Sequence, residues 1–133
     1  MKFLLDTNIC IYIIKETPLS VLEKLKILSS SDVCLSAITV AELYYGVEKS
    51  HHVKKNQTAL EKFLTPFEIL PFDDAAAFCY GHIRAKLENL GKPIGSLDFM
   101  IAAQAISQKL TLVSNNVREF SRVLGLKIEN WAL

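Results

Sequence analysis

Three acidic residues stand alone inside the most apolar stretches of the chain, a placement that suits chemistry better than solubility. Asp6 follows Phe-Leu-Leu, Glu42 follows Ile-Thr-Val-Ala, and Asp98 precedes Phe-Met-Ile-Ala-Ala. An ionised carboxylate in an apolar setting is costly unless something compensates its charge, and no Lys or Arg adjoins any of the three in sequence. The simplest compensation is one cation shared by all three carboxylates.

The elements that must position these acids are short apolar runs alternating with helical patterns. A strand over residues 2–5 ends at Asp6, and Thr7 and Asn8 are candidate caps for the helix that follows. Further strands are expected over residues 33–36, 67–70, 110–113 and 126–128. Further helices are expected from Pro18, over residues 39–50, 56–64 and 73–90, and from a Ser96 cap to residue 108, with a turn or short helix over 115–120. This order predicts an α/β fold, a three-layer sandwich with a short, mainly parallel sheet of four to five strands.

Such a sheet would bring the acids together, because ligands bind beyond the carboxyl ends of parallel strands. Asp6 stands at a strand end, and Glu42 lies about one turn into the helix after the second strand. Asp98 falls in the first turn of its helix, where free N–H groups favour a carboxylate. Neutral oxygen donors follow the fourth strand: Ser114, Asn115 and Asn116.

A hard divalent cation is the natural ligand of this oxygen-rich set. Two carboxylates about 4 Å apart repel by about 4 kcal/mol at an effective dielectric near 20. Oxygen donors without nearby His or Cys select Mg²⁺ or Mn²⁺ over Zn²⁺. The implied chemistry is phosphodiester hydrolysis, with Asp98 or Glu42 orienting or deprotonating the attacking water.

Each acid also has a purely structural explanation. Asp6 could be a helix N-cap, and Asp98 could be a first-turn acid favoured by the helix dipole. Glu42 could reach the surface and pair with Lys15 or Lys49. All three explanations would have to hold at once for the acids to carry no function.

Composition excludes several other classes. With 133 residues, half of them apolar, residues 1–133 are expected to form one domain. No apolar run is long enough for a membrane helix, and the N-terminal run meets Asp6 too soon for a signal peptide, so a cytoplasmic location is expected. Cys10, Cys34 and Cys79 read as reduced, buried thiols. The net charge of +1 means that any nucleic acid must be met by a local patch.

The same residues carry a family resemblance. Four blocks match in order: FLLDTN at residues 3–8, SAITVAEL with YG at 36–46, IGSLDFMIAA at 94–103, and SNNVREF at 114–120. With GL at 125–126 and ENW at 129–131, the chain resembles the PIN-domain ribonucleases, specifically the VapC-type toxins of bacterial toxin–antitoxin pairs. The resemblance implies a parallel sheet between helices, with Asp6 and Asp98 as Mg²⁺ ligands and Glu42 as the third acid.

The fourth block departs from the family pattern. Many members place Thr and then an aspartate there, whereas this chain has Ser114, Asn115 and Asn116. Asn116 is the nearest match to the fourth acid of the site, and Glu119 is the nearest remaining carboxylate. Losing one charge should weaken a second metal site more than the first. Asn116 is therefore expected to join Asp6, Glu42 and Asp98 as a catalytic residue. The expected secondary site residues are Thr7, Asn8, Ser114, Asn115 and Glu119.

The resemblance also implies partners and a substrate. A VapB-type antitoxin would place its C-terminal tail in a groove of the toxin, often with an Arg at the acids, while its N-terminal half binds operator DNA. The toxin is expected to form a homodimer and a higher assembly with the antitoxin. The implied substrates are structured RNAs, a tRNA anticodon loop or an rRNA loop, with initiator tRNA as the leading candidate. Basic residues that could contact RNA phosphates are Lys49, His51, Arg84, Lys92 and Arg118.

Two alternatives use the same residues differently. A haloacid-dehalogenase-like phosphatase would use Asp6 as a nucleophile, but it needs a second Asp two residues later, where this chain has Asn8. A catalytically silent module would only bind antitoxin or RNA, and would have no need for carboxylates in apolar segments.

Overall fold

Within residues 2–133, five short strands are separated from one another by one or two of seven α-helices. The computed structural model describes residues 2–133, so residue 1 of the expected domain lies outside the described part. The elements are β1 (Phe3–Leu5), α1 (Thr7–Lys15), α2 (Leu19–Lys26), β2 (Val33–Ser36), α3 (Ala37–Glu48), α4 (Val53–Leu64), β3 (Glu68–Leu70), α5 (Asp74–Asn89), α6 (Ser96–Ser107), β4 (Thr111–Val113), α7 (Val117–Phe120) and β5 (Ile128–Glu129). A 3-10 turn, Ser30–Asp32, leads into β2. The predicted order of strands and helices is confirmed.

The strands form one parallel sheet in the order β3-β2-β1-β4-β5. Its register aligns Leu5, the last residue of the central strand, with Leu35 of β2 and Val113 of β4. Asp6 and Ser114 therefore leave the sheet at the same edge. The register thus supplies the convergence that the sequence predicts for the strand ends.

Side chains from successive strand residues build two cores, one on each face of the sheet. Leu4 belongs to the core beneath α5 and α6, whereas Leu5 belongs to the core beneath α1, α3 and α4. This alternation is inherent to a strand, whose successive side chains point to opposite faces. Helices cover both faces of the sheet, which confirms the predicted three-layer α/β/α sandwich.

The cap of α1 differs from the sequence prediction. The sequence predicts Thr7 or Asn8 as the cap, whereas the cap is Asp6, whose carboxylate accepts a hydrogen bond from the Ile9 N–H at 3.0 Å. An aspartate one residue past a strand already has the extended backbone that an N-cap requires. The structural explanation of Asp6 as a cap is therefore correct, and Asp6 also lines a cleft together with Glu42 and Asp98.

The cap of α6 also differs. Gly95 occupies the cap position, and Ser96, the predicted cap, is the first helical residue. A Cβ on Gly95 would lie 3.4 Å from Oδ2 of Asp98. A larger residue at this cap would therefore press on the Asp98 carboxylate.

Several helix ends shift by a few residues. Helix α3 begins at Ala37 because the Ser36 hydroxyl accepts a hydrogen bond from the Ile38 N–H at 3.0 Å.

Within residues 2–133, no helix combines the length and the apolar character that crossing a membrane requires. Cys10 and Cys34 are buried, and Cys79 is half-buried.

Candidate active site

Asp6 sits where β1 passes into α1, and its carboxylate is 7% exposed. Burial raises its pKa above the usual value, and the negative charge of Glu42 adds to that rise. Hydrogen bonds to the Ser114 side chain and to backbone N–H groups act in the opposite direction. A buried carboxylate that faces another acid is short of positive charge, as a cation site without its cation should be.

Glu42 is half-buried on α3 and is held from across the site. The Thr7 hydroxyl donates a hydrogen bond of 2.7 Å to its Oε1. The alternative pairing of Glu42 with Lys15 or Lys49 is absent: within residues 2–133 the ion pair that forms is between Arg84 and Glu88. Glu42 therefore turns toward the N-terminus of α1.

Asp98 is the third residue of α6 and is half-buried. Burial raises its pKa to about 6, and the charges of Glu119, Asp6 and Glu42 contribute in that order. The first-turn position on α6 favours the ionised form, but it does not outweigh these effects. The charges of Glu119, Asp6 and Glu42 therefore all affect the pKa of Asp98.

One cleft joins the residues that the sequence singled out. It has a volume of about 140 Å³ and is lined by Asp6, Thr7, Asn8, Glu42, Asp98, Ile101 and Asn116. Ile101 is the lining residue that sequence reasoning missed. Its spacing of three residues from Asp98, which places both on one face of α6, was the available signal.

The residues after β4 divide between the cleft and its support. Asn116 lines the cleft, and its side-chain amide donates a hydrogen bond of 3.0 Å to Glu119. The Ser114 hydroxyl accepts a hydrogen bond from the Asn116 N–H at 2.9 Å. Asn115 instead donates to the Tyr12 hydroxyl at 2.8 Å, so its side chain is committed elsewhere.

Glu119 places a carboxylate next to Asn116 and close enough to Asp98 to affect its pKa. Its charge is the largest electrostatic contribution to the raised pKa of Asp98. Asn116 bridges toward it as a neutral donor. Glu119 therefore adds a negative charge near Asp98, three residues after Asn116.

The donor set fits a hard divalent cation, although it does not form a closed cage. Within residues 2–133, no group of three His, Cys, Asp or Glu side chains is gathered tightly enough to hold a metal ion by itself. Mg²⁺ keeps several waters and is usually held by one or two carboxylates. Carboxylate and amide oxygens around a small cleft, with raised pKa values at Asp6 and Asp98, meet that requirement.

The candidate RNA-contacting residues lie outside the cleft. Lys49, His51, Lys92 and Arg118 are exposed. The Lys49 ammonium lies 5.0 Å from the centre of the Tyr45 ring.

Arg84 is more committed than these four residues. It pairs with Glu88 at 3.1 Å, hydrogen-bonds the Tyr80 hydroxyl and lies over the Phe99 ring. Its partners hold the guanidinium against α5 and α6. Arg84 is therefore the least available of the five for RNA.

Comparison with known proteins places this site in a family. A model of the PIN domain matches residues 3–126. Ribonuclease VapC2 of Haemophilus influenzae is 48% identical over 131 residues, covering 98% of each chain. A tRNA(fMet)-specific endonuclease VapC of Shigella flexneri is 46% identical over 132 residues, covering 99% of each chain. Among solved structures, DNA-bound VapBC from Salmonella typhimurium matches with a TM-score of 0.93 at 44% identity, covering 98% of each chain.

The family match spans all four motif blocks, and the two named relatives match over almost the whole chain. The chain therefore belongs to the PIN-domain family, in its VapC-type ribonuclease branch. Nucleases of the PIN-domain family generally depend on a divalent metal. The acidic cleft at the carboxyl ends of β1 and β4 is where such a metal would bind.

Proposed function

We propose that this chain is a Mg²⁺-dependent endoribonuclease toxin that cuts structured RNA at specific sites and thereby inhibits translation. The observation that carries the proposal is the cleft in which Asp6, Glu42, Asp98 and Asn116 meet. Mg²⁺ is the proposed ion because the lining donors are oxygens, and Mn²⁺ should substitute for it.

In the proposed reaction, water attacks the phosphorus atom, a new P–O bond forms, and the bond to the leaving oxygen breaks as that oxygen gains a proton. When bound, a divalent ion would offset negative charge on the phosphate and the leaving oxygen. Asp6, Asp98 and Glu42 would hold the ion. Glu42 or Asp98 would also orient or deprotonate the water, and the Asn116 amide would position a neighbouring oxygen.

The proposed substrate is a tRNA anticodon loop, with initiator tRNA first among the candidates. Relatives from Shigella flexneri and Salmonella typhimurium, 46% and 45% identical, are named for action on tRNA(fMet). Unpaired loop bases can be splayed out and read, which suits site-specific cutting. Phosphate contacts are assigned to Lys49, His51, Lys92 and Arg118, with Arg84 as a weaker candidate, and the substrate implies a cytoplasmic location.

A VapB-type antitoxin is the proposed partner. A groove of about 470 Å³ between α1, α3 and α4 adjoins the cleft, and Glu42 lines both. Its walls include Ile11, Leu43, Val47 and Leu60. An apolar peptide in this groove would place a following Arg at the acids. Solved relatives include VapBC complexes bound to DNA, which supports contact with DNA through the antitoxin, and a homodimer of the toxin is proposed with them.

Docking of the antitoxin in this groove can be tested by a substitution that leaves the acidic residues unchanged. Ala59 is exposed on α4 and lines the groove, so Ala59→Glu should leave RNA cleavage intact while abolishing inhibition by the antitoxin encoded beside the gene. Ala77→Glu, on the exposed face of α5, is the matched control. Inhibition of the Ala59→Glu protein at wild-type antitoxin concentrations would exclude the groove as the docking site.

The function itself is tested on RNA. Antitoxin-free protein is incubated with total tRNA and rRNA in Mg²⁺, Mn²⁺ or EDTA, and new RNA ends are mapped by sequencing. Few, discrete cuts that vanish in EDTA are expected. Cleavage that persists in EDTA would contradict the metal mechanism, and the absence of cleavage in any metal would favour the silent binding module.

A further inference from the structure

One hydrogen bond links the two sides of the acidic cleft. Thr7, at the first position of α1, donates to Oε1 of Glu42 on α3 at 2.7 Å, across 35 residues of sequence. A threonine hydroxyl has one proton to donate, so this short bond commits it to Glu42. Within residues 2–133, Glu42 has no cationic partner.

The Thr7 hydroxyl has a second contact with α3. The Thr39 hydroxyl oxygen lies 3.5 Å from it, at the limit of a hydrogen bond, and Thr39 is fully buried in the first turn of α3. The Thr39 oxygen is an alternative acceptor for the single Thr7 proton, and the much shorter contact with Glu42 shows which acceptor holds that proton. Both contacts of the Thr7 hydroxyl therefore run to α3.

Glu42 needs such a restraint, because its side chain borders two spaces. It lines the acidic cleft, and it also lines the adjacent larger groove between α1, α3 and α4. Thr7 lines the cleft and not the groove. The hydrogen bond therefore draws the Glu42 carboxylate toward the acids and away from the groove.

We propose that Thr7 is a positioning residue that holds Glu42 in the acidic cleft and so completes the metal-binding carboxylates. The inference rests on the proposed function, since it assigns Glu42 to the binding of the proposed Mg²⁺ ion. Thr7→Val keeps the shape of the side chain and removes the hydroxyl. Thr7→Ser keeps the hydroxyl and removes a methyl group.

The first measurement is single-site cleavage of the RNA that the wild-type protein cuts. Thr7→Val should lower kcat by about 10- to 100-fold, the usual effect of losing a partner that orients a metal-binding carboxylate. KM for RNA should change little, and Thr7→Ser should restore most of the rate. Thr58→Val removes an exposed hydroxyl on α4 that bonds the Lys54 carbonyl, and it should cleave RNA like the wild type.

The second measurement is Mn²⁺ binding to metal-free protein by calorimetry, which does not depend on activity. Thr7→Val should weaken Mn²⁺ binding in the wild-type background and have no further effect in a Glu42→Ala background. A merely structural role would instead lower the melting temperature and weaken binding equally in both backgrounds, which would overturn the inference. Unchanged kcat and Mn²⁺ affinity in Thr7→Val would also overturn it. A wild-type protein that binds Mn²⁺ in this Thr7-dependent way but cuts no RNA would overturn the proposed function and support the positioning role.

Discussion

Removing the charge of Asp98 should stabilise the metal-free fold while destroying the site. Asp98 is half-buried, and its pKa is raised from 3.8 to about 6 by burial and by the charges of Glu119, Asp6 and Glu42. Asp98→Asn keeps the size of the side chain. Within residues 2–133 the Asp98 carboxylate has no hydrogen bond to lose.

The sign follows from proton binding in the folded and unfolded states. As pH rises from 3.8 to about 6, the unfolded chain loses the Asp98 proton while the folded protein keeps it. The free energy of unfolding therefore falls across this window and stays reduced above it. The asparagine variant avoids this loss, so its advantage should be small near pH 4 and largest above pH 6.

The expected gain in the free energy of unfolding of Asp98→Asn is modest. A rise in pKa from 3.8 to about 6 corresponds to about 3 kcal/mol, which we discount to about 1.5 kcal/mol for solvent screening of a half-buried group. Losing the favourable interaction with the N-terminus of α6 costs about 0.5 kcal/mol. The net gain of about 1 kcal/mol corresponds to about 3–5 °C in melting temperature for a domain of this size.

The assay is urea and thermal unfolding in EDTA at pH 7.5 and pH 4, for wild type and Asp98→Asn. Asp74→Asn, a first-turn acid of the exposed end of α5, is the matched control and should not be stabilised. Added Mg²⁺ should raise the melting temperature of the wild type and not of Asp98→Asn. A variant that is no more stable than wild type at pH 7.5, or equally stabilised at both pH values, would refute the electrostatic description of the cleft.

Three further predictions test neighbouring parts of the site. Glu119→Gln should lower the pKa of Asp98, because it removes the largest contribution of a neighbouring charge to that raised pKa. An NMR titration of the metal-free protein measures this pKa, with Glu88→Gln as the control, and an unchanged Asp98 midpoint in Glu119→Gln would contradict the prediction. Mg²⁺ affinity measured by calorimetry should fall as pH drops below about 6, because protons then compete for Asp98; an affinity that is flat from pH 7.5 to 5 would argue against Asp98 as a ligand. Gly95→Ala should reduce metal affinity several-fold with little loss of stability, since its Cβ would lie 3.4 Å from the Asp98 carboxylate. Gly81→Ala, on α5 with open space around it, is the control. Equal metal affinities of the two variants would count against an effect of this contact.

The parts of the fold that depend on local pattern could be predicted from the sequence. Short apolar runs such as the one before Asp6 are too short for typical helices and so indicate buried strands. Their alternation with helices leaves few topologies other than a parallel sheet. Asp6 and Asp98 could be placed at one edge because each stands at a strand end or a helix start. The sheet determines where Asp6 lies, whereas the position of Asp98 also depends on how α5 and α6 are connected.

The parts that depend on tertiary distance could not be predicted. Nothing in the sequence pairs Thr7 with Glu42, because the bond depends on how α1 and α3 pack. The alternative of a surface ion pair between Glu42 and Lys15 or Lys49, which the sequence also allows, is wrong. The sequence also leaves open whether Asn116 or Glu119 replaces a fourth acid. In the structure Asn116 lines the cleft, and the charge of Glu119 raises the pKa of Asp98.

The central claim is that the acidic cleft performs metal-dependent RNA cleavage, and single-turnover cleavage of initiator tRNA tests it most directly. The measurement compares wild type, Asp6→Asn and the Asp74→Asn control, each antitoxin-free, in Mg²⁺ and in EDTA. Wild type and Asp74→Asn should cut the anticodon loop in Mg²⁺ only, and Asp6→Asn should not cut it although it stays folded. Undiminished cleavage by Asp6→Asn, or cleavage in EDTA, would contradict the claim.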